Sequence, residues 1–476
     1  VTFPLVLAVI VTVMGSTFQY GYNIAVVNAP APVNYCFNFA VVEVTTLSDS
    51  DLILWSFTVS IYTVGGMIGS FSTGFFVKKF GRYVGYLIQK GALLVSNSLS
   101  IVGAILMGTS KAANSLEMII IARFLLGIFA GLATGVVPLY LGEISPKAIR
   151  GALGVISQLS ITIGILTAQL LSLKEVLGTA ELWPILLAFT GVPSAMQLCV
   201  LPFLPESPRC LLIDRDREDL ARKALIKFRG TSDVAVEIRE MRHEAEAQAS
   251  TDQLSVLEVL KDQSVRWQII SIAFIQFTQQ MCGINAIFFY LNTIFEAAGV
   301  AGDTQNYASV GVGTVNVFMT VISVLLMDRL GRKILLAGGY AIAGVFCIVM
   351  TISLNLQDQI SWISNLSIAS VIGFIIGFAL SPVPWILTAE LFRQSSRPAA
   401  SSIGCGVNWT FNFALALVFP FMQKGMGPYV FLFFLCICAI ATAYVVIIIP
   451  ETKGKTFQEI NNMFVKRNKV KEPEMM

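Results

Sequence analysis

Long runs of apolar residues alternate with short polar segments along the chain, and twelve of these runs reach about 20 positions each. As helices rising 1.5 Å per residue, they are long enough to cross the roughly 30 Å hydrocarbon layer of a bilayer. The pattern predicts spanning helices over 5–27, 52–77, 86–108, 116–141, 150–172, 183–204, 267–297, 307–327, 333–355, 361–391, 398–421 and 428–449. A charged segment, 205–266, separates the sixth run from the seventh, and it contains helix-like stretches at Asp219 to Phe228 and Val236 to Gln248. The expected organisation is a six-helix half over 1–204, a cytoplasmic linker with short helices over 205–266, a second six-helix half over 267–449, and a cytoplasmic tail over 450–476. The fold class is therefore an all-α membrane protein with twelve transmembrane helices.

Composition sharpens this reading. The chain is 55% hydrophobic and 13% charged, against about 25% charged in soluble domains. So many long apolar runs could not all be buried in one soluble core. Of the 32 lysines and arginines, only Lys111, Lys174 and Lys424 fall in odd-numbered loops, and Arg123 is intramembrane. Basic residues mark the cytoplasmic side, so both termini and the central linker are expected inside. The first run carries Gln19, Tyr20 and Asn23 and no basic leader. It reads as the first span and not as a cleaved signal peptide, with a short cytoplasmic N-terminus expected before it.

Other chemistries find little support. The eight cysteines show no paired spacing, so neither a disulfide framework nor a metal site is expected. His243 sits in a hydrophilic stretch and reads as a solvated residue. There is no nucleophile–histidine pair, metal cluster or phosphate loop, which argues against an enzyme. No cofactor, nucleic acid or obligate protein partner is expected; the partners are the bilayer and a small cargo.

The chain also repeats itself. Gly81-Arg82 corresponds to Gly331-Arg332, Glu143 and Arg150 to Glu390 and Arg397, and Pro205-Glu206-Ser207 to Pro450-Glu451-Thr452, in the same order and at nearly constant spacing. Two pseudo-symmetric six-helix halves follow, and transporters built this way hold their cargo near the midplane between the halves.

Polar side chains inside lipid are costly unless they serve a partner or a path. Here they are mostly neutral: Gln19, Asn23, Gln158, Gln169, Gln276, Gln279, Gln280, Asn285, Asn316, Asn408 and Asn412. An amide both donates and accepts hydrogen bonds, as a sugar hydroxyl does. Gln158, Thr162, Ile165 and Gln169 share a helical face, as do Gln276, Gln279 and Gln280, and as do Asn408 and Asn412. Asn285 can join the glutamines only if the helix breaks near Gly283. The competing reading is that such amides join helices to one another. Trp385 and Trp409 add indole donors suited to a sugar ring.

No aspartate or glutamate lies mid-span. Glu143 and Glu390, each seven residues before Arg150 and Arg397, read as cytoplasmic ion-pair partners that could latch the halves. Proton coupling needs a titratable group in the path. None is found, so uniport is the simplest mechanism.

With these motifs placed, the chain resembles the facilitative hexose transporter (GLUT) family of the major facilitator superfamily. The matching residues are Phe18 to Asn23, Tyr140-Leu141-Gly142-Glu143 with Pro146-Lys147 and Arg150-Gly151, Pro205 to Arg209, Gln279-Gln280 through Gly283 to Ala286, Asp328 to Lys333, and Pro450 to Gly454. The resemblance implies the major facilitator fold, alternating access, and sugar contacts from Gln158, Gln279, Gln280, Asn285, Asn316 and Trp385. Ile165, on the Gln158 stripe, and Asn408 complete the candidate substrate set. It further implies a cytoplasmic salt-bridge set of Glu143, Arg150, Glu390, Arg397, Arg329 and Arg332, to which Arg123 is assigned, with Asp328 where the family usually has glutamate and Arg82 in the corresponding motif after span two. Proton-coupled relatives typically carry aspartate at the Asn23 position.

Gln19-Tyr20, Arg266-Trp267-Gln268, Gln394 to Pro398 and the tail Lys466 to Val470 look like the branch containing the fructose transporter. Phe378 stands where the fructose-selective member has histidine, and Trp385 follows the glucose branch. Fructose is favoured and glucose stays open. Two departures from the family pattern stand out: Tyr83 to Gln89 inserted between Arg82 and Lys90, and a shortened proline-rich break over Gly377 to Pro384. They keep a non-transporting, sugar-sensing or inactive relative in view beside a proton-coupled symporter.

Overall fold

The computed structural model describes residues 2–28, 49–83, 89–146, 150–249, 254–300, 302–357, 359, 362–381, 383–392, 396–455 and 457–468, and the regular structure among them is entirely helical. Two compact units result, Val1–Val42 with Thr58–Asp252 and Glu43–Phe57 with Gln253–Met476.

In the first unit, span one is two helices, α1 (Phe3–Met14) and α2 (Thr17–Ala25). The break falls at Gly15-Ser16, where a Cβ on Gly15 would meet Gln197 Oε1 at 2.2 Å. Helix α3 (Asp49–Tyr83), of which the part from Thr58 onward belongs to this unit, α4 (Gln89–Ala113), α5 (Leu116–Ile144) and α6 (Arg150–Leu171) follow. Gly65 of α3 lies against Phe124 O of α5, and Gly127 and Gly131 of α5 lie against Tyr62 O and Gly66 O of α3. These small residues let the two backbones touch, as helix packing in lipid favours. Span six is α7 (Trp183–Ala188) and α8 (Gly191–Val200).

The linker folds into α9 (Glu218–Arg229) and α10 (Ala235–Ala249), close to the stretches read from the sequence. Gly230, at φ 71°, ends α9 in the left-handed conformation that glycine adopts without strain. Arg229 then forks onto Glu237 at 2.6 and 3.0 Å and caps the end of α5 through Ile144 O at 2.8 Å.

In the second unit, α11 (Val256–Lys261) leads into α12 (Arg266–Met281), and span seven continues as α13 (Ile284–Phe289) and α14 (Leu291–Ala297). Then come α15 (Gly302–Leu330), α16 (Arg332–Leu356), α17 (Ile363–Ala379) and α18 (Val383–Glu390), the last two forming a broken span ten. Helices α19 (Arg397–Met426), α20 (Val430–Ile448) and the tail helix α21 (Phe457–Asn468) complete the chain.

Ten of the described helical stretches are long and apolar enough to cross a membrane. One, Arg397–Ile448, contains both α19 and α20, and the shorter apolar stretch Ile156–Leu171 occupies the place of span five. Every predicted span thus has its helix. Phe318, Leu325 and Ile447 are 65%, 67% and 69% exposed. Such apolar surface is costly in water and natural in lipid.

Candidate functional site

The amides of the second unit converge. Gln276, Gln279 and Gln280 occupy one face of α12, and Asn408 of α19 sits opposite them. Asn408 Nδ2 donates to Gln276 Oε1 at 2.8 Å and Gln279 Oε1 at 2.9 Å, while Gln280 Nε2 donates to Asn408 Oδ1 at 2.9 Å. The helix breaks at Gly283, whose φ of 103° is a left-handed value that glycine tolerates. The break turns Asn285 back toward the glutamines, and its Nδ2 donates to Gln280 Oε1 at 2.6 Å. Gln280, Asn285 and Asn408 are buried, while Gln279 is half-buried. Beside them, Gln276 Nε2 and Asn412 Oδ1 are buried with no hydrogen-bond partner among the described residues. Buried amide atoms are normally satisfied, so these two mark a place where a polar guest would be stabilised.

Other sequence candidates stand apart from this network. Asn316 is buried on α15, and its backbone oxygen accepts from Thr320 Oγ1 at 2.8 Å. Trp385 on α18 is 41% exposed, whereas Trp409 is buried. In the first unit, Gln158 is half-buried on α6 and Ile165 is buried two turns further on.

Gln19 and Asn23 belong to a separate hydrogen-bond network in the first unit. Gln19 Oε1 accepts from Ser100 Oγ at 2.7 Å, Ser194 Oγ at 2.9 Å and Thr190 Oγ1 at 3.0 Å. Its Nε2 donates to Gly15 O at 2.6 Å, across the break in span one. Gln197 Oε1 accepts from Asn97 Nδ2 at 2.7 Å and Ser16 Oγ at 3.0 Å. These side chains tie the break to α4 and α8, so the helix-joining reading holds for Gln19. The helix-joining role was open from the sequence, but the partners Asn97 and Gln197 were not, because they carry no periodic partner of their own.

Arg123 requires a correction. Helix α5 is continuous from Leu116 to Ile144, so Arg123 lies about 30 Å along it from Glu143. Its Nη1 donates to Asn23 O at 2.7 Å and its Nη2 to Val59 O at 3.2 Å, and its guanidinium lies 4.5 Å from the centre of the Tyr62 ring. Fully buried, it belongs with Asn23 and not with the ion-pair residues around Glu143 and Glu390.

At the ends of α5 and α18 the two units use matching pairs. Ser207 Oγ donates to Glu143 Oε2 in the first unit, and Thr452 Oγ1 donates to Glu390 Oε2 in the second. Glu390 also pairs with Arg332 at 3.1 Å. Arg397 is not its partner: exposed at the start of α19, it donates from Nη2 to Phe392 O at 3.4 Å. Arg329 is exposed, and its carbonyl accepts from Lys453 Nζ at 2.9 Å. The side chains of Arg82, Arg150 and Asp328 lie outside the described residues, as does most of the Tyr83 to Gln89 insertion. The hydroxyls of Ser207 and Thr452 were legible as a repeat but not as partners of Glu143 and Glu390.

The repeated glutamates behave oppositely. Glu206 is buried, and burial lifts its pKa to about 7, against the lowering effect of the Ser207 N–H and of Lys90. Lys90 itself reaches Pro202 O at 3.3 Å and Leu204 O at 2.6 Å. Glu451 is more open; burial opposes its ionisation, but the backbone N–H groups of Lys453, Arg332 and Lys333 prevail and hold its pKa below the usual carboxylate value.

Comparison with known proteins agrees with this architecture. The chain is 48% identical over 477 residues to human solute carrier family 2, facilitated glucose transporter member 5, covering 99% of this chain and 94% of the relative. Identity to the horse (Equus caballus) member 5 is 48% over 473 residues, covering 98% and 93%, and to human member 7 it is 44% over 476 residues, covering 99% and 92%. In fold, the chain is similar to the inward open xylose transporter XylE from E. coli, with a TM-score of 0.78 at 23% identity over 96% of this chain and 99% of that one. The partially occluded inward open XylE gives 0.77 at 21% identity over 96% and 100%. Residues 8–464 match the family described as "Sugar (and other) transporter", and the chain therefore belongs to that family, a multi-span membrane transporter of the major facilitator fold.

Proposed function

We propose that this chain is a hexose uniporter of the plasma membrane, with fructose the favoured cargo and glucose also accepted, working by alternating access with both termini and the linker in the cytoplasm. The observation that carries the reading is the amide network around Asn408, which offers neutral donors and acceptors beside two unsatisfied buried amide atoms. Neutral hydroxyls fit such a site better than an ion does. Gln279, Gln280, Asn285 and Asn408 are assigned to the sugar, as are Asn316, Trp385, Gln158 and Ile165. The facilitated glucose transporters at 48% identity favour a passive mechanism, as does the neutral Asn23 next to Arg123. Glu143, Glu390, Arg332, Arg329, Arg397, Arg82, Arg150 and Asp328 serve the cytoplasmic gate.

The test is a competition panel in reconstituted vesicles, with labelled fructose against unlabelled fructose, glucose, galactose and urate. Saturable uptake competed most strongly by fructose and then by glucose is expected. Uptake competed by urate alone, or no hexose uptake, would contradict the assignment.

A further inference from the structure

Two segments that the sequence singles out separately meet in the second unit: Arg266-Trp267-Gln268 at the start of span seven and Lys466-Arg467-Asn468 in the tail. The first N–H groups of a helix have no partner within it, and a side-chain acceptor at the N-cap usually takes one of them. Helix α12 has no such acceptor of its own, because its N-cap residue is Val265. Asn468, the last residue of α21, supplies the acceptor from 201 residues away. Its Oδ1 accepts the Trp267 N–H at 3.0 Å, while its Nδ2 donates to Gln268 Oε1 at 2.9 Å and Ser264 O at 2.5 Å. Ile460 and Phe464, 2% and 1% exposed, seat the tail helix, and Gln268 is fully buried.

We propose that Asn468 is a positioning residue for transport: the tail helix clamps the first turn of α12 and so fixes the placement of Gln276, Gln279 and Gln280 further along that helix. Helix α12 runs unbroken from Arg266 to Met281, so a shift at its first turn is carried to the glutamines. The interruption at Gly283 comes only after them. This inference rests on the hexose-transport reading above, since it assigns the tail a part in sugar binding.

The full-length protein in proteoliposomes tests it with two variants and two readouts. Hydrogen exchange reports the Trp267 amide without any sugar, and initial rates of fructose uptake against concentration separate KM from turnover. Asn468→Leu should speed exchange at Trp267 about fivefold, as loss of an N-cap does. It should also raise KM several-fold while turnover at saturation stays near that of the wild type. Asn468→Asp keeps the acceptor for the Trp267 N–H but loses the Nδ2 donation to Ser264 O and Gln268 Oε1, so it should lie between wild type and Asn468→Leu in both readouts. Unchanged exchange, or faster exchange with an unchanged KM, in Asn468→Leu would overturn the proposal while wild-type uptake stands. A wild type that moves no hexose would overturn the transport reading and the positioning role together, and the exchange result would still show whether the cap exists.

Discussion

Asn285 donates to Gln280 at 2.6 Å, although the two residues lie on different faces of any unbroken helix. They meet because the chain turns at Gly283, where φ is 103° and an added Cβ would lie 2.8 Å from the Phe434 ring. Gly283→Ala therefore meets both backbone strain and a clash, at a cost of about 1–3 kcal/mol. The expected result is a lower melting temperature and a several-fold higher KM for fructose. Gly338→Ala, inside α16 and with a Cβ that would find nothing within 4 Å, is the control that should melt at or slightly above the wild type.

The two classes of buried glutamine should separate in experiment. Gln279→Leu removes a half-buried hydrogen-bonding group from the candidate sugar site and should raise KM about tenfold or more, with a smaller fall in melting temperature than Gln19→Leu because Asn408 Nδ2 keeps Gln276 Oε1 as an acceptor. Gln19→Leu leaves the hydroxyls of Ser100, Thr190 and Ser194 without their shared acceptor. It should cost about 1–3 kcal/mol of stability, read as a fall in melting temperature. If Gln19→Leu changed only KM and Gln279→Leu only stability, the two assignments would be reversed.

Glu206 and Glu451 occupy repeated positions but should respond to pH with opposite sign. The Glu206 pKa is raised to about 7, so the folded protein holds that proton between the ordinary carboxylate range and pH 7 while the unfolded chain releases it. Stability falls as pH rises through that window. Glu206→Gln should melt above the wild type near pH 8, with the advantage vanishing at acid pH. The Glu451 pKa is lowered, so its contribution is present above the unfolded value and lost as pH falls. Glu451→Gln should melt below the wild type at neutral pH, with the gap closing in acid. Thermal melts of both variants across the pH range check the two signs.

Asn23 offers a test of coupling. Its Oδ1 is buried without a partner among the described residues, and Arg123 Nη1 bonds its backbone oxygen. Asn23→Asp would place a titratable carboxylate beside that guanidinium, where a proton can be taken up and released. Fructose uptake by the variant should vary with external pH while the wild type stays flat. Equal flatness in both would remove this position from any account of coupling.

Much of the fold was legible because apolar length is a strong signal. A run such as 333–355 admits few structures other than a spanning helix, and α16 (Arg332–Leu356) is that helix. Breaks were harder to read. Gly283 announced itself because Asn285 otherwise faced the wrong way, whereas Gly15-Ser16 gave no such conflict, and its stabilising partners Asn97 and Gln197 lie on distant helices. In the site, the grouping of Gln276, Gln279 and Gln280 followed from helical period alone, but Asn408 as their common partner depended on which helices pack together. Arg123 was misplaced because its motif resemblance outweighed a count of residues along one continuous helix. The Glu390 pairing failed for a similar reason: sequence spacing pointed to Arg397, whereas Arg332, at the start of α16, is the partner.

The most direct measurement is fructose uptake by purified protein in sealed liposomes, with the proton gradient collapsed, imposed inward and imposed outward. Saturable uptake that stops at equal concentrations inside and out, and is the same under all three conditions, is the expected result. Accumulation against the sugar gradient only when protons flow inward, or no passage of hexose under any condition, would contradict a neutral amide site working without a titrating group.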